Sequence, residues 1–312
     1  MKYKDQIDPK LKGIAKKIPY NGTVIRCANL YQVVAFCLTA IPKEVTHRKR
    51  TVKGYQGMKF KVDIFEPSNA KEKLPCLIYV HGGAFSYKAS AHHKKLACMY
   101  AMKAKCRVFF PDYHLTPKYP YPAGYADVLA LYQYILEHSE AFGIDRERIG
   151  LAGDSAGAAI AALICARYER EGLKLPCLQM LVYPLTDVSM GTDSMQRFSN
   201  TPLWNAKSNK RMWSYYCKGL TAEESYAVSP MHSSLPQVIP DAYIETAEYD
   251  CLHDEGILYG VKLREAGANV ELNETKGTIH GYDSALHTGI AIRNIEKRIL
   301  FLRKGFYGRV RC

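Results

Sequence analysis

The sequence predicts an α/β fold: a mostly parallel central sheet flanked by helices, with a helical cap. Three observations lead there. Short apolar runs of strand length alternate with helix-length segments from residue 76 onward. A pair of extended runs precedes them, joined by a turn bracketed by Gly54 and Gly57. The alternation breaks once, over residues 186–228, and then resumes.

Taken in order, Leu30, Val33, Val34, Cys37, Leu38 and Ile41 recur at helical spacing. This single apolar stripe is expected to pack on the core or to form a lid over a site. Residues 46–53 and 58–65 read as an antiparallel hairpin at a sheet edge. Strands are then expected at 76–80, 107–110, 149–152 and 178–183. Helices are expected near 91–104, 123–137 and 155–170. The break carries Trp204, Trp213, Tyr215 and Tyr216 among many polar residues. A strand at 242–247, a helix near 254–265, a strand at 269–273 and a last helix near 284–302 complete the pattern. The domain reading is an N-terminal cap segment at 1–50 and a core at 51–312, with 186–228 inserted into it.

Composition narrows the function. The 312 residues are 47% hydrophobic and 23% charged, ordinary for a globular protein. The formal net charge is +13. Residues 1–50 hold eleven Lys/Arg against three Asp/Glu and supply +8 of it. Such a charge can serve nucleic acid or an anionic membrane surface; no zinc-finger, RNA-binding or helix-turn-helix signature accompanies it, so a solvated basic surface is expected, nucleic acid is not, and recruitment to a membrane surface through this segment is the weaker alternative. None of the ten cysteines forms a C-x-x-C pair, so structural zinc is not expected; free, mostly buried thiols in a reducing cytoplasm are. The opening MKYKDQIDPKLKG has no apolar signal region. The uncharged stretch 27–42 is too short to span a bilayer.

The chemistry concentrates in a few motifs. Gly153-Asp154-Ser155-Ala156-Gly157 follows an apolar strand and precedes an alanine-rich helix. That is the strand–turn–helix setting of a G-x-S-x-G nucleophile elbow, whose flanking side chains must be tiny. The turn places Ser155 at a helix N-terminus, where N–H groups favour developing negative charge. His81-Gly82-Gly83-Ala84-Phe85 ends the strand at 76–80. Consecutive glycines there let backbone donors face a tetrahedral oxyanion, which assigns Gly82, Gly83 and the N–H of Ala156 to an oxyanion hole. A serine needs a base, and the base an orienting acid. In the chain order Ser, acid, His, Asp250 lies just past the strand at 242–247, with Glu248 and Asp254 as competitors, Asp254 also reading as a helix N-cap. His280 lies in the loop after the next strand, between Gly277 and Gly281. His253 and His287 fall on predicted helical stretches. His92 and His93 precede Ser155, break the order, and are expected to face solvent without binding metal.

These motifs, with Ala247-Glu248-Tyr249-Asp250, His280-Gly281-Tyr282 and the segment Pro111-Asp112-Tyr113-His114-Leu115-Thr116-Pro117 leading to Tyr121-Pro122-Ala123, resemble the hormone-sensitive lipase family of esterases. The similarity runs in order over roughly residues 58–305. It implies an α/β-hydrolase fold with a helical cap built from the N-terminus and the insertion. It implies hydrolysis of small carboxylic esters, usually with short acyl chains, with no metal or organic cofactor. Homodimers are among the assemblies it implies; stable membrane insertion is not. Ser155, Asp250 and His280 then form the triad, and Gly82, Gly83 and Ala156 the oxyanion hole. His114 and Lys118 depart from the family's usual arginine and glutamate, which bears on a supporting polar network and leaves the triad intact. Amidase or deacetylase chemistry could run on the same residues. A non-catalytic ligand binder, as in the plant gibberellin receptors that resemble this family, would lack the histidine base.

Overall fold

A computed structural model describes residues 5–70 and 72–308; Cys312 lies outside them. The elements are α1 (Gly22–Leu38), β1 (Val45–Lys53), β2 (Lys59–Pro67), β3 (Leu74–Val80), α2 (Ala91–Ala104), β4 (Arg107–Asp112), α3 (Ala123–Glu137), α4 (Ser139–Phe142), β5 (Ile144–Asp154) and α5 (Ala156–Arg167). There follow β6 (Leu178–Val182), α6 (Asp193–Arg197), α7 (Ala206–Tyr216), α8 (Ala222–Ala227), β7 (Asp241–Ala247), α9 (His253–Glu265), β8 (Val270–Thr275) and α10 (Gly289–Tyr307).

The strands form one eight-stranded sheet in the order β1-β2-β4-β3-β5-β6-β7-β8. β1 and β2 pair antiparallel, β2 joins β4 antiparallel, and β4 through β8 run parallel. Period-2 alternation splits the strand side chains between two cores. On β3, Cys76, Ile78 and Val80 face the core shared with α3, α5 and α9, while Leu77 and Tyr79 face the one shared with α2 and α10. Strand register brings Val80 beside Gly153 and Asp154 beside Val182. Ala247 is paired with Thr275. The loops that leave these carboxyl ends therefore open at one edge, the usual location of ligand sites on such sheets.

The break in alternation holds three short helices, each opened by a side-chain cap: Thr192 to Met195 N, Asn205 to Ser208 N and Thr221 to Glu224 N. Two expectations are corrected. The last helix starts at Gly289 and not near 284, because residues 282–284 form a separate 3₁₀ turn and Thr288 is the N-cap. The apolar stripe of α1 turns outward: Leu30, Val33, Val34, Cys37 and Leu38 are exposed. The helix is held instead by Ile25, by Phe36 stacked on Phe110 and by Asn29. The nine described cysteines are free thiols; five are buried, and Cys27 and Cys37 are exposed.

A buried ionic network ties α10 to the sheet edge. Arg298 donates from Nε to Glu245 on β7 (3.1 Å) and from Nη1 to Asp283 (2.6 Å). Tyr282 and Tyr183 add hydroxyl donors to Glu245 and Asp283 (2.7 Å each). Burial works against the charge on Asp283, but Arg298, His92 and the Tyr183 hydroxyl together outweigh it and hold its carboxyl below the ordinary value. Removing one partner of such a group strands the others in low dielectric. Arg298→Met is expected to destabilise the fold by about 3–5 kcal/mol in equilibrium urea unfolding at neutral pH.

Candidate active site

Ser155 joins β5 to α5 at φ 51° and ψ −119°. That backbone is strained for a residue with a Cβ. It is pinned from outside: Ser155 N–H donates to the Val182 carbonyl (2.9 Å), and the Ser155 carbonyl accepts from Ala159 (3.2 Å) and Leu185 (3.3 Å). The side chain thereby stands at the mouth between β5 and β6.

His280 arrives from the loop after β8 and Asp250 from the loop after β7. The His280 Nε2 lies 2.9 Å from Ser155 Oγ, and its Nδ1 lies 2.6 Å from Asp250 Oδ2. The other Asp250 oxygen accepts from Leu252 N–H (3.1 Å), which fixes the carboxylate. With a carboxylate as its partner, Nδ1 carries the proton and Nε2 is left to accept from the serine hydroxyl. Asp250 is fully buried, and Ser155 and His280 are nearly so.

The competing residues are placed elsewhere. Glu248 accepts from Gly277 N–H (2.7 Å). Asp254 is not an N-cap; it sits inside the first turn of α9, whose N-cap is Leu252, and it accepts from Ser194 N–H (2.7 Å). His253 bonds Asp254 (2.8 Å). His287 is exposed in a turn ahead of α10, not on a helix.

The loop after β3 lies against the elbow. Gly83 has φ 120°, and a Cβ on Gly82 would stand 2.2 Å from Asp154 Oδ2, so each glycine answers a different constraint. Ala84 and Phe85 also adopt positive φ. The loop is held in that shape by the N-terminal segment: Tyr20 hydroxyl bonds Ser86 Oγ (2.5 Å) and Ala84 O (3.2 Å). Asn29 donates to Ser86 O (2.9 Å) and accepts from Lys88 N–H (2.7 Å). Ala156 opens α5, so its N–H is among the first-turn donors with no acceptor inside the helix. His114, one of the departures from the family pattern, places its imidazole 2.6 Å from the buried Asp127 carboxylate.

Behind the serine lies a second polar cluster that the sequence reading misplaced. His93 is buried rather than facing solvent, and His92 lines the cavity. His93 Nδ1 accepts from Ser90 N–H (3.0 Å), so its Nε2–H donates to Asp154 (3.2 Å). Tyr79 donates to the other Asp154 oxygen (3.1 Å). Burial opposes the Asp154 charge, but His93 above all holds the carboxyl well below the usual carboxylate range. Tyr20, Asn29 and Trp204 also escaped prediction; nothing in their local sequence separates them from ordinary packing residues.

The strand edge, Ser155 and His280 open into a cavity of about 310 Å³, walled by Tyr20, Tyr183, Leu203 and Trp204. A strained serine between strand and helix, a glycine-bearing loop beside it and a histidine–carboxylate pair from the loops after β8 and β7 define an α/β hydrolase. A family model described as alpha/beta hydrolase fold matches residues 77–284. The chain belongs to that family, in the group similar to hormone-sensitive lipase. It is 30% identical over 290 residues to the carboxylesterase NlhH of Mycobacterium tuberculosis, covering 88% of each chain. It is 31% identical over 208 residues to an ethyl acetate hydrolase of Pseudomonas putida, covering 66% of this chain and 65% of that one. The esterase LipW of Mycobacterium marinum superposes with a TM-score of 0.89 at 26% identity, covering 97% of each chain.

The cluster behind the serine generates a pH prediction. His81 is fully buried, donates from Nδ1 to the Gly82 carbonyl (2.6 Å) and leaves Nε2 without a partner. Burial, and then the neighbouring His93, push its pKa down to about 4. Its folded value lies below its unfolded value near 6.5, so the unfolded chain takes up the proton first. This contribution is complete above pH 6.5 and is lost as the pH falls toward 4, in all about 3 kcal/mol. Urea unfolding from pH 7 to 4.5 should show that fall, and the curve for His81→Phe should lack this part of it.

Proposed function

We propose that Ser155 is the nucleophile of a carboxylic ester hydrolase, with His280 as general base and acid and Asp250 as its orienting carboxylate. The chain is a hydrolase of carboxylic esters in this reading. The observation that carries it is the hydrogen-bonded run from Ser155 Oγ through both nitrogens of His280 to Asp250, at 2.9 and 2.6 Å.

The steps follow from that geometry. His280 Nε2 takes the hydroxyl proton as Ser155 Oγ bonds to the ester carbonyl carbon. The carbonyl oxygen becomes an oxyanion and is held by the N–H groups of Gly82, Gly83 and Ala156. His280 returns the proton to the departing alcohol oxygen, leaving an acyl-serine. Water, deprotonated by the same nitrogen, then releases the acid and restores Ser155. Asp250 stabilises the imidazolium at each stage.

We assign short acyl chains to the cavity, because Tyr20, Leu203 and Trp204 bound its volume of about 310 Å³. The P. putida relative named for ethyl acetate supports that size class. Residues 1–50 and 186–228 act as the cap in this reading. They meet where Arg211 of α7 donates to Tyr20 O (2.9 Å) and Leu203 N–H donates to Lys16 O (2.9 Å). Nine described cysteines without a disulfide favour a reducing compartment such as the cytoplasm.

Ser155→Ala should lower kcat/KM on p-nitrophenyl acetate by at least about 10⁴-fold with unfolding stability preserved. Asp250→Asn should cost on the order of 10⁴-fold through the wrong imidazole tautomer. Near wild-type turnover by Ser155→Ala would sink the assignment. Across nitrophenyl esters, acetate and butyrate should exceed decanoate by more than about tenfold in kcat/KM. Matched nitroanilides turned over faster than the esters would replace the reading by an amidase.

A further inference from the structure

We infer that the outer face of α1 is a docking surface for an anionic lipid membrane. Leu30, Tyr31, Val33, Val34, Cys37 and Leu38 are all exposed, with Leu30, Tyr31 and Leu38 at 72%, 73% and 80%. At the helical repeat they fill one continuous arc of about 160°. A soluble helix normally turns such an arc inward. Here the inward side is fully engaged without it. Asn29 bonds the Ser86–Lys88 loop, Phe36 stacks on Phe110, and Lys94 donates to the carbonyls of Phe36 and Thr39 (3.0 and 2.8 Å) that end the helix. The outer arc, half or more exposed along most of its length, therefore adds little to the fold, and a contiguous apolar patch of this kind marks an interaction surface.

Charge selects the occupant. Between Asp8 and Glu44 the chain has no acidic residue and six basic ones. Lys10, Lys12, Lys16, Lys17, Arg26 and Lys43 are all exposed, and Arg26 lies within the apolar arc itself. A second copy placed by two-fold symmetry on this face would bring Arg26 toward its own image, which is unfavourable. An anionic bilayer satisfies both features: headgroup phosphates meet the cations, and the interfacial acyl region takes the apolar arc. No described helix is long and apolar enough to cross a membrane, so the contact is peripheral.

The other side of the same helix gives the contact a use. Ala28 and Gln32 line the cavity that holds Ser155. Lying on α1 thus sets the cavity beside the lipid, where esters that partition into the membrane are concentrated. That consequence rests on the ester-hydrolase reading; the docking does not.

The test uses the full-length Ser155→Ala protein, so that turnover plays no part. It should co-sediment with phosphatidylcholine vesicles containing about 30% phosphatidylglycerol and not with pure phosphatidylcholine, and release at about 0.5 M NaCl. Adding Leu30→Ser, Val34→Ser and Leu38→Ser should weaken the partition coefficient by more than about tenfold. Lys16→Glu, Lys17→Glu and Arg26→Glu should do the same. In the Ser155 background, circular dichroism and turnover of a soluble ester check that both sets of surface changes leave the fold intact. No sedimentation with anionic vesicles overturns the proposal, as does binding indifferent to the serine substitutions. A dimer in sedimentation velocity that Leu30→Ser and Leu38→Ser dissociate, with no vesicle binding, assigns the face to a second copy instead.

Discussion

The site depends on one tight contact: the start of α5 pressed against the ends of β3 and β5. A Cβ on Gly157 would stand 2.1 Å from the Val80 carbonyl, and one on Gly153 would stand 2.4 Å from the Gly157 carbonyl carbon. Backbone atoms cannot yield to such an overlap as a flexible side chain can. The two glycines therefore let the helix enter close enough to force the residue between them into its unusual backbone state. Five of the ten residues after them in the helix are alanine and all ten are buried, which keeps the whole helix close to the sheet. The strain at Ser155 persists because the bonds to Val182 and Leu185 leave it no relaxed alternative.

Two buried charge networks then hold what faces that serine. Behind the elbow, Asp154 gathers Tyr79 and His93. Behind His280, Arg298 gathers Glu245 and Asp283, with Asp283 only three residues past the imidazole. Neither network is an economical source of stability, since each ion loses its water. Their effect is geometric. Each joins a loop at the sheet's carboxyl edge to a rigid element beneath it, α2 in one case and α10 in the other. The distances around His280 are thus set by groups that do not touch a substrate.

Much of this was legible in the sequence for physical reasons. Parallel strands buried on both faces read as apolar runs, and the helices between them have helix length. The elbow is legible because only tiny residues tolerate its contacts. Asp250 and His280 are legible because, on a parallel sheet, the loop after each strand opens at the same edge. The rest is set by contacts between residues far apart in the chain. Periodicity reveals that α1 has an apolar side but not what faces it. Arg298 meets Glu245 across 53 residues of chain, and no local pattern announces such a pair. His92 and His93 look like surface histidines because they share a helix start with Lys94 and Lys95. In fact His93 takes the third position of a capping box with Ser90, and that turns its ring toward Asp154.

The inversion of α1 links these observations. A helix that exposes its apolar arc must be held by something else, and here buried Ile25 and the Phe36–Phe110 stack share the hold with polar bonds. Tyr20 and Asn29 bond to Ala84, Ser86 and Lys88, the stretch that follows Gly82 and Gly83. Two residues of that stretch, Ala84 and Phe85, already sit at positive φ and need outside bonds to stay there. The bonds that seat α1 are therefore also bonds that shape the loop beside Ser155. The N-terminal segment, whose Tyr20, Ala28 and Gln32 line the cavity, is thus a structural part of the site as well as its wall.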